Sequence, residues 1–177
     1  ILFVGRLSTV KGPDILLKAF LSSKIKDEYS LIFVGPDENM KNRMIKYIND
    51  FSKNKNIFFL GSASHKKRDF LMKKATLTVI PSRREAMSMV ALESSLMGTP
   101  FLATKSCGLD DFAANSSGFI CNGDINSISK NLDKILKNQN LIKETGDNAK
   151  NYVLSFYTWD SIIEKMSFCL DKLIWQK

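Results

Sequence analysis

Two carboxylates, Glu85 and Glu93, stand in the stretch 81–100, which reads PSRREAMSMVALESSLMGTP. On a single helix they would lie about 12 Å apart and about 80° around the axis, too divergent to share a proton. With Ser88 as N-cap, its hydroxyl taking a backbone N–H of the next turn, Glu85 falls in a loop and Glu93 in the second helical turn. The N–H groups of Met89, Val90 and Ala91 then lie between the two acids, and a helix N-terminus attracts anions. Such a layout offers polyol hydroxyls a carboxylate at each end and a phosphate a positive spot between them. A surface acid beside an ordinary amphipathic helix fits the same spacing.

A second group of candidates opens the chain. Gly5 ends an apolar run and lets the backbone turn close to a ligand. Arg6 and Lys11 fall in the loop that follows, and Pro13 suits a first helical position. At the carboxyl end of a parallel strand, where open α/β sheets bind ligands, the two cations could hold a diphosphate. Loop Arg and Lys are also common as solvated residues. His65 is the single histidine; alone in a first helical turn, it reads as a solvated surface residue. Lys66, Lys67 and Arg68 follow it against the helix dipole, a cost that a bound anion would offset. Neither an Asp-x-Asp pair nor a Gly-x-Gly-x-x-Gly fingerprint occurs, which argues against a metal-bridged diphosphate and against a dehydrogenase.

The elements that must position these groups alternate. Short apolar runs at 1–4, 31–34, 57–60, 76–80, 101–104 and 118–121 are mostly apolar on both faces, as strands buried under helices are. Helical patterns lie between them near 13–23, 38–53, 65–75, 88–97 and 109–114, with others at 125–138 and 141–156. Gly98 and Pro100 stop the helix that carries Glu93. Thr158 caps a last helix, in which Trp159, Ile162, Ile163, Met166, Leu170 and Leu173 recur at helical spacing. The expected fold is α/β: a doubly wound, parallel sheet, Rossmann-like, with helices on both faces.

Glu-x7-Glu after Pro-Ser, closed by Gly-Thr-Pro, resembles the signature of the large retaining glycosyltransferase family called group 1. Gly5-Arg6-Leu7 with Lys11-Gly12 resembles that family's first-loop pattern, and the two matches lie about eighty residues apart. Met87-Ser88 stands where the family usually has Phe-Gly, and Asp37 replaces the second glycine of its Val-Gly-x-Gly segment. Cys107 likewise departs from its Gly-Gly-x-x-Glu segment, so the 105–111 loop receives no role. The resemblance implies the carboxyl-terminal, donor-binding half of a GT-B enzyme that uses a nucleotide diphosphate sugar. It implies catalytic work for Arg6, Lys11 and Glu85, with no cofactor and no metal. Donor contacts would come from Gly5, Arg6, Lys11, Ser62, Ala63, Glu85, Met87, Ser88, Met89, Val90 and Glu93. Glu93 would take the ribose hydroxyls, Glu85 the sugar hydroxyls, and backbone groups at Ser62 and Ala63 the base edge. The acceptor domain would lie in a missing amino-terminal half, to which the helix at 158–177 would return.

Length and composition agree with one globular domain: 177 residues, 44% hydrophobic and 25% charged. Three cysteines, odd in number and without metal-ligand spacing, read as reduced and mostly packed thiols, as in a cytoplasmic protein. A net charge of +8 suits an anionic membrane surface, a phosphorylated substrate or nucleic acid. Nucleic acid is set aside, because no basic stretch is interleaved with aromatics. Peripheral membrane contact stays open, as does a non-catalytic module that holds a nucleotide or another anion.

Overall fold

The computed structural model describes residues 1–52 and 55–174. Six strands form one sheet: β1 Leu2–Val4, β2 Leu31–Val34, β3 Ile57–Phe59, β4 Thr78–Ile80, β5 Phe101–Thr104 and β6 Phe119–Cys121. All neighbours run parallel, in the order β3-β2-β1-β4-β5-β6. The helices are α1 Pro13–Ser22, α2 Lys41–Phe51, α3 His65–Lys74, α4 Met89–Leu96, α5 Asp110–Ala114, α6 Ile125–Leu136, α7 Gln139–Phe156 and α8 Trp159–Ile174. The expected end of α2 at residue 53 lies outside the described residues.

This is the doubly wound sheet anticipated from the alternation of runs. Its order turns back between β1 and β4, so the loops leaving those strands diverge and open a crevice at the carboxyl edge. Phe3, Phe33 and Phe59 carry one face of the core across β1, β2 and β3, with ring centroids 5.4 and 5.0 Å apart. The buried faces of α1 and α6 close over that side. Phe101 and Phe112 anchor the other half-sheet with Leu92 of α4 and Val153 of α7.

Burial on both faces holds for the inner strands and fails at β3. That strand is an edge, and Phe58 remains 45% exposed. Four strands are shorter than expected: Ile1, Leu60, Thr76 to Leu77 and Gly118 lie outside them. Helix entries follow local chemistry. Pro13 takes the first position of α1, the Ser64 hydroxyl accepts from Lys67 N–H at 3.4 Å, and Thr158 Oγ1 accepts from Ser161 N–H at 3.3 Å.

Candidate functional site

The crevice is built from loops at the carboxyl edge. Gly5 and Gly35 end β1 and β2 side by side, and a Cβ on Gly35 would fall 1.9 Å from the Gly5 carbonyl oxygen. A cavity of about 340 Å³ opens there, lined by Gly5, Arg6, Gly35, Ser62, Ala63 and Arg68 among others. Four residues expected to touch a donor are thus brought together. Asp37, in place of the family's glycine, accepts from the N–H groups of Met40 and Lys41, each at 2.9 Å, and so starts α2.

Beside this cavity Lys11 Nζ donates to Glu85 Oε1 at 2.9 Å, across 74 residues of sequence. Ser82 donates to the other carboxylate oxygen at 2.8 Å. Glu85 N–H reaches the Ser106 carbonyl at 3.0 Å, while Thr104 and Ser106 hydroxyls both donate to the Ser82 carbonyl. The 105–111 segment, given no role above, therefore clamps the loop that holds Glu85. Gly108 has φ 62°, and a Cβ there would sit 2.1 Å from the Ala86 carbonyl oxygen. Arg83 ties the first loop to the same place. Its guanidinium grips Asp14 at 2.9 and 2.7 Å and donates to the Thr9 carbonyl, while its N–H reaches Val10. Burial raises the Asp14 pKa, but the Arg83 hydrogen bonds and charge outweigh it and hold the carboxyl below the usual 3.8.

The start of α4 corrects one expectation. Ser88 does occupy the N-cap position, but its hydroxyl makes no capping hydrogen bond. Its Oγ is buried without a partner among the described residues. Ala91 N–H is not free either, since it donates to the Ser88 carbonyl at 3.1 Å. Met87 and Val90 pack against the core below, so their side chains face inward, whereas Met89 is 63% exposed at the crevice end of the helix. Glu93 is held by Arg68 at 3.3 Å. Arg68 also donates to the His65 ring and keeps its Nε buried and unpartnered among the described residues. It was missed as a site residue, although a cation in the first turn after the 61–64 loop was the signal.

Each acid expected at the site except Glu85 meets a guanidinium, and each expected cation meets an acid. Arg6 pairs with Glu38 at 2.6 Å on the exposed side, apart from the Lys11–Glu85 pair. Burial pushes the thiols of Cys107 and Cys121 up, that of Cys121 to about 11, and both are packed, while Cys169 is exposed. Among the described residues no three of His, Cys, Asp and Glu gather closely enough to hold a metal ion. No helix there is long and apolar enough to cross a membrane.

Residues 1–152 match the family described as Glycosyl transferases group 1. An uncharacterized glycosyltransferase of Methanocaldococcus jannaschii, MJ1069, is 26% identical over 97% of this chain and 45% of its own length. The chain spans less than half the length of this and the next curated relatives. Among solved structures, Anabaena Alr3699/HepE in complex with UDP superposes with a TM-score of 0.82 at 20% identity, covering 97% of this chain and 48% of that one. The C-terminal domain of a group 1 family protein (LpcC) from Francisella tularensis gives a TM-score of 0.79 at 17% identity, covering 89% and 86%. At these identities the two structures speak for the fold.

Proposed function

The chain belongs to the group 1 glycosyl transferases, and we propose that it forms the donor-binding half of a retaining enzyme that uses a nucleotide diphosphate sugar. The observation that carries this reading is the Lys11–Glu85 pair set beside a cavity lined by Gly5, Arg6, Ser62, Ala63 and Arg68. The UDP in the HepE structure supports a nucleotide ligand. Expulsion of a nucleoside diphosphate builds negative charge on phosphate oxygens, and cations already in place lower that barrier. Arg6, Lys11 and the N-terminus of α4 would supply that charge without a bridging metal. Glu93 would accept from ribose hydroxyls and Glu85 from hydroxyls of the sugar.

The ion pairs sharpen that reading. Arg6, Lys11 and Arg68 are held by Glu38, Glu85 and Glu93, so a diphosphate exchanges carboxylate partners for phosphate ones. The acids then become free to take hydroxyls, and binding of the two ends of the donor is linked. The acceptor would be held outside this chain.

Calorimetry with uridine, guanosine and adenosine diphosphates, with and without EDTA, tests the assignment. Arg6→Ala, Lys11→Ala and Arg68→Ala should each weaken the preferred nucleotide by about 1.5–3 kcal/mol, the range for hydrogen bonds to charged groups. Glu93→Gln should weaken the nucleotide but leave inorganic pyrophosphate nearly unchanged, because pyrophosphate has no ribose. Equal binding by all four variants, or binding that requires magnesium, would rule the site out.

A further inference from the structure

The outer face of α3 is a second surface, separate from the crevice. Its inner face is settled: Leu71, Met72 and Ala75 pack with Leu2 and Val34 against the sheet, and Arg68 turns to Glu93 of α4. Lys66, Lys67, Phe70, Lys73 and Lys74 are all exposed. At the helical angle per residue these five fall within about 120° of arc. Phe70 lies at the centre of that arc and is 61% exposed. None of the four ammonium groups has an ion-pair partner among the described residues. Asp69 is the one acid on the helix.

Within the domain this arrangement carries two costs. Lys66 and Lys67 sit in the first turn of α3, where the helix dipole repels cations, although Lys73 and Lys74 in the last turn are favoured by it. Four ammonium groups on one short face also repel each other. Both costs reverse sign beside an external layer of negative charge. The edge strand adds apolar surface on the same side of the sheet. Phe58 pairs with Ile32, which packs in the α3 cluster, while the neighbouring Phe59 turns to the opposite face and stacks on Phe33.

We propose that this face docks on an anionic phospholipid surface, with Phe70 entering the boundary between headgroups and acyl chains and the four lysines meeting lipid phosphates. Lysines act as mobile point charges without the fixed fork of arginine, which suits a fluid array of phosphates. A single aromatic ringed by cations provides a shallow apolar anchor. A single-stranded nucleic acid would call for several aromatics to stack successive bases, and the outer face of α3 has one. Charge and a small anchor are each weak alone and additive together.

Co-sedimentation of the full-length protein with vesicles tests the proposal. The vesicles are pure phosphatidylcholine, or equal parts phosphatidylcholine and phosphatidylglycerol. The wild type should bind the mixed vesicles and bind pure phosphatidylcholine at least tenfold less. At about fivefold per lysine, the variant with Lys66→Gln, Lys67→Gln, Lys73→Gln and Lys74→Gln should lose more than a hundredfold in partition. Phe70→Ala should lose about tenfold and keep its dependence on phosphatidylglycerol. All five side chains are exposed, so neither variant should melt below the wild type, and the lysine variant should melt slightly above it as the repulsion is relieved, which separates lost docking from lost folding. Failure of the wild type to bind the mixed vesicles overturns the proposal. So does equal binding by wild type and both variants, the result expected if the rest of the full-length chain covers α3. Retention of homopolymeric RNA without vesicle binding would assign the face to nucleic acid and overturn it equally.

Discussion

At the residue scale the site is a set of paired charges, and one pair predicts a pH dependence. Asp14 ionises more readily in the fold than its usual 3.8 because Arg83 holds it in two hydrogen bonds. A carboxyl depressed in this way adds stability above its unfolded value and loses it as pH falls through the folded one. Asp14→Asn should therefore be less stable than wild type at roughly pH 6, and the gap should close in acid. Urea midpoints across that range measure it; a gap that stays constant would show that Arg83 does not depend on the Asp14 charge. The charge chemistry was legible in part. Glu85, Glu93, Arg6 and Lys11 announced themselves by type and spacing. That Glu38 would meet Arg6 and Arg68 would meet Glu93 did not show, because only the folded sheet brings those elements together, while Ser82 sits three residues from Glu85 and turns to it through the local loop.

Among the elements, strand and helix existence followed from apolar runs and caps, and the parallel, doubly wound sheet from their alternation. Two features escaped that reading. β3 is an edge, so Phe58 stays half open although its run looked as buried as the others. Ser88 begins α4 by position and not by a capping hydroxyl, since sequence fixes which residue flanks a helix but not how its side chain turns. The 105–111 loop gave no clear signal because its grip combines a close backbone approach, Gly108 on Ala86, with Ser106 bonds to the 82–85 loop that no spacing announces. Gly108→Ala places a Cβ both in a left-handed conformation and against that carbonyl. The conformation alone costs about 1–2 kcal/mol, read as a lower urea midpoint. Nucleotide affinity should fall with it, because the Glu85 loop must move. Unchanged affinity would separate the clamp from the site.

For the whole molecule, α8 stands apart from the core. Trp159 is 80% exposed, and Ile163, Met166 and Leu170 are each more than half exposed; the side chain of Leu173 lies outside those described. A stripe of this kind calls for a partner surface, and we propose the remainder of a longer chain, as the family resemblance implies. Hydrogen exchange of the isolated chain should show 159–174 losing protection well before α7. Uniformly slow exchange across that helix would show that it is complete without a partner.

The turn-back in strand order has a mechanical consequence. β1 and β4 share one residue pair, Leu2 with Thr78, whereas each of the other four junctions shares three. The sheet is thus two half-sheets whose ladder is shortest at their seam, and the crevice lies directly above it. A nucleotide that touches the β1 loop on one side and the α4 helix on the other spans that seam as a rivet spans two plates. Its grip should register where the plates join: the Leu2 amide, which donates to Leu77 at 2.9 Å, should exchange more slowly when the nucleotide is bound, although it lies at the far end of its strand from the ligand.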